Sequence, residues 1–248
     1  VRAHLFRLAN KLYKRCYPAY YPLYAAYKAI SDKREREVLR QITKPGMDIV
    51  DVGANIGNYT RFFAHIIGAS GRVHAFEPAP ANFSHLHNNV RSLKNVLINN
   101  AAVGAHNGTI KLYISEELNV DHRTFDSGDG RASIDVPVIC LDSYFEPGQS
   151  VDLIKIDVQG YELSVLQGAT RVLDENPDVK IVMEFWPYGL IKAGVLPESL
   201  IEFILSRGFE IRKTTDPVGH AFDVTKLDAT CSDDYCNLLI ARSPVVSA

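Results

Sequence analysis

The chain has 248 residues, 46% of them hydrophobic and 23% charged, with a formal net charge of −2 at pH 7. That is an ordinary globular composition with material for one buried core. The absence of a global basic field argues against a nucleic-acid partner, and no apolar run approaches the ~18 residues of a transmembrane helix.

Charge is unevenly spread. Residues 1–40 hold ten Lys/Arg (Arg2, Arg7, Lys11, Lys14, Arg15, Lys28, Lys33, Arg34, Arg36 and Arg40) against Asp32, Glu35 and Glu37. The segment is therefore +7, which leaves −9 for the rest of a chain of net −2. Residues 1–43 read as a helical arm in pieces, broken around Pro18 and Pro22, because proline lacks the amide a helix ladder needs. Tyr13, Tyr17, Tyr20, Tyr21, Tyr24 and Tyr27 suit half-wet contacts and are expected to pack this arm on its own domain or on a second subunit. Its charge also suits an anionic partner or a membrane surface.

Residues 44–248 read as one catalytic domain. Lys44-Pro45-Gly46 turns the chain into a buried strand over 47–52, followed by a helix over 58–67. A strand over 72–76, a helix over 79–90 and a strand over 95–100 continue the alternation, which predicts a parallel sheet with helices on both faces. Residues 108–115 and 132–141 alternate like strands and form a β-excursion around a polar loop, 116–131. The α/β pattern resumes with strand 151–158, helix 161–173, strand 179–186, helix 197–207 and strand 209–213. A last apolar run, 235–241, closes the sheet. The four cysteines (Cys16, Cys140, Cys231, Cys236) form no CxxC pair and read as reduced thiols, Cys140 a buried one. With no signal peptide in evidence, a cytoplasmic protein is expected.

The strongest motif is DVGANIGNYT, residues 51–60, at the end of the first strand. Gly53 allows a tight turn and close ligand approach, while Gly57 opens the next helix, where amides are free to donate. A dinucleotide loop would carry a third glycine where Asn55 stands, and Asn55 would crowd a pyrophosphate. Asp51 suits a ligand ammonium, and Ala54, Tyr59 and Thr60 complete the loop. Glu77, in HAFEPAP, ends the second strand where an acid accepts ribose hydroxyls. Ala101 and Ala102 leave room for an adenine.

DVGANIGNYT, HAFEPAP and DLIKIDVQGYELSVLQGA, in this order and spacing, resemble the FkbM-type methyltransferases over residues 45–208. The resemblance implies a Rossmann-like class I methyltransferase fold with a mostly parallel seven-stranded sheet. It also implies S-adenosyl-L-methionine as cofactor and methyl transfer to a hydroxyl of a sugar, lipid-linked glycan or secondary metabolite. At Gln159 such proteins carry Glu or Gln. A nicotinamide-dependent oxidoreductase and a non-catalytic binding protein that keeps the fold are the alternatives.

Methyl transfer from a sulfonium needs alignment, exclusion of water and a place for the acceptor's proton. His122, in the polar loop, is the expected general base because its ordinary pKa lies near neutrality. Asp157 ends the fourth strand beside the reactive centre, two residues after Lys155, and is expected to position the hydroxyl. Arg123, Glu184 and Trp186 are expected to bind acceptor, Trp186 by stacking on a sugar or sulfonium. Asp157 has no evident carboxylate partners for a metal, so no metal is expected. The partners expected are a small-molecule or glycan acceptor and a second copy of the chain through the arm.

Overall fold

In the computed structural model, residues 12–13, 15–115, 121–126, 128–217, 222–223 and 226–242 are described. Arg2, Arg7, Lys11 and Lys14 of the basic arm lie outside them.

Two short, largely apolar segments become the centre of the sheet: β1 (Asp48–Val52) and β7 (Leu153–Ile156) pair in parallel, Asp51 opposite Lys155. The remaining strands of this sheet are β2 (Arg72–Phe76), β3 (Val96–Asn99), β8 (Lys180–Phe185), β9 (Glu210–Lys213) and β10 (Cys236–Ala241). Their order is β3-β2-β1-β7-β8-β10-β9, with only β10 antiparallel to its neighbours. Successive strand residues point to opposite faces, and the core divides accordingly. Val50, Ile154, Ile181 and Leu238 enter one apolar cluster, while Ile49, Leu153, Val182 and Leu239 enter the other. Helices cover both faces, which is the expected Rossmann-like arrangement.

The β-excursion is a separate three-stranded sheet. β4 (Ala102–Val103), β5 (Gly108–Tyr113) and β6 (Ser133–Ile139) lie in the order β4-β6-β5, joined through Leu112, Val136 and Val138. Cys140 is buried and donates from Sγ to the Gly168 carbonyl at 3.1 Å.

Three local expectations need correction. The arm does not break at its prolines: α1 (Tyr17–Ser31) runs through both. Pro18 sits in the first turn, where amides have no helical partner anyway, so only Pro22 removes a bond. The helix expected over 161–173 is two pieces, Glu162–Gln167 and Thr170–Glu175. Between them Gly168 packs on the Gly104 carbonyl so tightly that a Cβ would lie 2.0 Å from that oxygen. A short helix, Pro187–Lys192, follows β8 where none was expected.

The arm is built into the domain. α2 (Lys33–Ile42) buries Val38, Leu39 and Ile42 against Ile49, Phe63 and Leu239. α1 lies on the helix Pro80–Val90: the Tyr17 ring stacks on His85 at 3.5 Å and 8°, and Tyr13 donates to Asn82 Oδ1 at 2.7 Å. Deletion of residues 1–40 removes two of these aliphatic side chains, Val38 and Leu39, whose burial contributes ~4 kcal/mol, and is expected to lower the melting temperature by ~10 °C in differential scanning fluorimetry. An unchanged melting temperature would show the arm to be a tether.

Candidate active site

The strand order reverses between β1 and β7, and ligands of open α/β sheets sit beyond the carboxyl ends of the strands at that point. A cavity of about 540 Å³ opens there, within the range of small-molecule sites.

Its floor is the loop after β1. Gly53 and Ala54 both donate their amides to the Phe76 carbonyl, at 3.0 and 2.9 Å. Gly53 has φ +79, and a Cβ there would lie 1.9 Å from the Asp157 carbonyl oxygen. The glycine is therefore required by protein backbone, not by an approaching ligand. Asn55 adopts φ +52 and caps the next amide with its own Oδ1 (2.8 Å). Gly57, φ +89, is the N-cap of α3 (Asn58–Ile67) and packs on Leu86; it supports the loop without lining the cavity.

Glu77 clamps this loop. One carboxylate oxygen accepts the Asn55 amide and the other the Ala79 amide, both at 2.8 Å. Burial pushes its carboxyl up to about 7 in spite of those two bonds. Asp51 is fully buried; its Oδ2 accepts the Thr60 hydroxyl at 2.6 Å, while Oδ1 has no partner. An orphaned buried carboxylate oxygen on the floor fits a ligand ammonium. Thr60 itself is spent on Asp51 and does not line the cavity, whereas Ala101 and Ala102 do. Tyr59 lines it too, but its hydroxyl donates to Asp32 of the arm at 3.0 Å.

Beyond the floor stands a charged cluster. Lys155 is buried, 3.4 Å from Asp157 Oδ2 and 4.5 Å from the Tyr59 ring centroid. Burial opposes its charge, but Asp157, Asp51 and Glu35 outweigh that and hold the ammonium above its ordinary range. Asp157 keeps a side chain 41% exposed. Burial of its surroundings works against ionisation, yet Lys155 and then Lys28 hold the carboxyl below its usual range. Gln159, a non-glycine residue at φ +54, donates from Nε2 to Asp157 Oδ1 (3.3 Å) and Glu184 Oε2 (2.6 Å). Glu184 is pushed up to about 8 by burial, then by Asp157 and Glu162.

The buried carboxyls have a measurable consequence. A carboxyl raised in the fold stabilises it at low pH and loses that contribution as pH rises through the folded value. Glu77 and Glu162 (each about 7) and Glu184 (about 8) act in this sense. The buried His74 and His122, both lowered to about 4, act oppositely, but most of their contribution is gained below their ordinary pKa near 6.5, and above it the three carboxyls outweigh them. Between pH 6.5 and 8 the melting temperature of the ligand-free protein is thus expected to fall, and Glu184→Gln to flatten that fall. A rising curve across this window contradicts the assignment.

His122 lines the cavity, but its chemistry differs from expectation. The Ser115 amide donates to His122 Nδ1 at 3.1 Å. An N–H can only donate, so Nδ1 must be the acceptor and the neutral ring carries its proton on Nε2. Burial also pushes the ring down to about 4. In this geometry the Nδ1 lone pair is engaged by the Ser115 amide, which leaves Nε2–H as the ring's remaining polar group. Arg123 is fixed by Asp121 Oδ1 (2.7 Å), and its guanidinium lies 5.1 Å over the Trp186 ring. Trp186 is buried and donates from Nε1 to the Ser232 carbonyl at 2.9 Å, and the Arg123 guanidinium covers one of its faces.

Several wall residues carried no sequence signal for the site. Tyr24, Tyr27 and Lys28 come from the arm, and Ser232, Asp233 and Tyr235 from the segment before β10. Both groups lie far along the chain from the motifs and reach the cavity only through folding.

The methyltransferase FkbM domain family matches the chain over residues 51–211. The chain is 30% identical over 146 residues to the hexuronic acid methyltransferase AglP of Haloferax volcanii, covering 56% of this chain and 58% of that protein. It is 28% identical over 230 residues to the methyltransferase sdnD of Sordaria araneosa, covering 78% and 80%. Among solved structures, the FkbM methyltransferase from Methylobacillus flagellatus KT superposes with a TM-score of 0.50 at 20% identity, over 79% of this chain and 43% of that one. A structure described as a putative rRNA methylase from Clostridium thermocellum gives 0.51 at 12%, covering 84% and 95%, a likeness of fold alone. The chain thus spans little more than half the length of the archaeal relative and less than half of the Methylobacillus structure. A methyltransferase family displaces the nicotinamide alternative, as the missing middle glycine at Asn55 anticipates. By the match over 51–211, the chain belongs to the FkbM methyltransferase family, whose methyl donor is S-adenosylmethionine.

Proposed function

We propose that the protein is an O-methyltransferase acting on a hydroxyl of a sugar, glycan or secondary metabolite. The observation that carries this is the cavity-lining carboxyl group of Asp157, held by Lys155 and Gln159 beside the cofactor loop. Asp51, Glu77, Ala101 and Ala102 would hold the cofactor, through its ammonium, ribose and adenine in that order. When bound, S-adenosylmethionine supplies an electrophilic methyl group together with its own leaving group.

The protein's residues supply the rest. Asp157 takes the acceptor's proton as the new carbon–oxygen bond forms, help typically worth ~10²–10⁴ in rate. His122 donates from Nε2 and orients the acceptor oxygen. Glu184, protonated near neutrality, offers a second donor beside Asp157. Tyr24, Tyr27 and Tyr235 give aromatic walls of the kind that pack against sugar rings. The hexuronic acid named for the Haloferax volcanii relative favours a hydroxyl-rich acceptor.

The test is a panel of hexoses, hexuronic acids, polyols and phenolic alcohols incubated with protein and donor, with release of S-adenosylhomocysteine read by chromatography. Turnover with at least one hydroxyl acceptor, absent for amine acceptors of matching shape, is expected. Turnover confined to amines overturns the proposal.

A further inference from the structure

A second cavity, of about 370 Å³, lies between the arm and α3, outside the cavity described above. Arg36, Arg40, Arg61 and His65 line it, and among the described residues no Asp or Glu does. None of the three arginines is in an ion pair among the described residues. Arg36 Nε is buried without a hydrogen-bond partner. Arg36 and Arg40 both lie over the Phe62 ring, each 5.3 Å from its centroid, which fixes two planar donors at one wall. Arg61 keeps one contact, to the Asn89 carbonyl. Three uncompensated guanidiniums in a concave site match a phosphoryl group, the anion whose oxygens take forked donors.

The flank of this cavity is formed by Tyr21 and Ala25 of α1. The outward face of that helix is unusual. From Pro18 to Ile30 every exposed residue is apolar: Leu23 (65% exposed), Tyr27 (52%) and Ile30 (77%), with the others Ala or Pro. Exposed Arg15, Lys33 and Arg34 stand at its two ends. Tyr27 and exposed Tyr235 also line the first cavity, so the apolar face runs on to its mouth. Among the described residues, no helix is long and apolar enough to cross a membrane. An apolar helix face bounded by cations is the pattern of a helix that lies in a membrane interface.

We propose that α1 and the arginine cavity together dock the protein on an anionic phospholipid surface. The apolar face enters the acyl boundary, and Arg36, Arg40 and Arg61 take a lipid phosphate. The mouth of the first cavity is thereby turned toward the bilayer.

Co-sedimentation with vesicles tests this, using phosphatidylcholine alone and phosphatidylcholine mixed with phosphatidylglycerol. Binding is expected only to the mixed vesicles, falling as salt is raised. Arg40→Gln, at an exposed position, is expected to weaken it about fivefold. The double variant Leu23→Ser/Ile30→Ser is expected to weaken it about tenfold or more. Both variants should keep wild-type affinity for S-adenosylhomocysteine, which verifies the fold. Equal binding to both vesicle types, or no binding to either, overturns the proposal. So does inorganic diphosphate binding that depends on Arg40 with no vesicle binding, which would make the cavity a soluble-phosphate site. A lipid-free dimer lost in the double variant would show that a second copy covers the face, and overturns it as well.

Discussion

Asp157→Asn is expected to lower methyl transfer by ~10²–10⁴ while leaving S-adenosylhomocysteine affinity within a few-fold. The amide keeps the shape and the contact with Gln159 but cannot take the acceptor's proton. His122→Gln provides the contrast. A glutamine nitrogen can stand near the imidazole Nε2 and still donate, so turnover should stay within about tenfold of wild type. His122→Ala removes the donor altogether and should lose about 10–100-fold, the worth of one hydrogen bond to a developing charge. Because Asp157 is held below its ordinary range, the wild-type rate should show no acidic limb between pH 5.5 and 7. If His122→Gln instead falls as far as Asp157→Asn, and the wild type shows an acidic limb between pH 5.5 and 7, the two residues exchange roles.

Gly53→Ala is expected to be the most damaging single-methyl change in the protein. The added Cβ would sit 1.9 Å from the Asp157 carbonyl oxygen, which is backbone and cannot swing away. The positive φ adds strain of its own. Together these should cost about 3–5 kcal/mol of stability, at the large end for one substitution, and displace both the cofactor loop and Asp157. Gly194 is the control: φ is +80, yet nothing lies within 4 Å of its Cβ position. Gly194→Ala should cost only ~1 kcal/mol and leave cofactor affinity unchanged. Similar melting temperatures for the two variants would show that the steric argument at Gly53 fails.

The contrast between these glycines shows what the sequence made legible. The sheet could be read because strands β1, β7 and β8 are short runs dominated by Ile, Val, Leu, Met and Phe, and their burial on both faces leaves little choice of register. The cofactor floor could be read because Gly53, Asn55, Gly57 and Glu77 are local to two strand ends. What Gly53 meets could not be read, since Asp157 is a hundred positions away. The same limit applies to His122: its type suggested a base, but a single amide from Ser115 decides its tautomer. Thr60 looked like a ligand residue and is spent on Asp51. The arm was legible as tyrosine-rich, but that Tyr24, Tyr27 and Lys28 form a wall of the site depends on how α1 lies on the helix Pro80–Val90. Pro22 misled because one lost bond near a helix start is offset by the tyrosine packing around it.

The central claim is that this cavity joins a methyl donor to an acceptor hydroxyl. It is tested most directly by supplying donor labelled with a trideuteromethyl group, and locating the label in the product by mass spectrometry and carbon NMR. The account predicts one trideuteromethyl group on a hydroxyl oxygen, with label transfer reduced ~10²–10⁴ in Asp157→Asn. Label found on nitrogen or carbon, or transferred at an unchanged rate by Asp157→Asn, would contradict it.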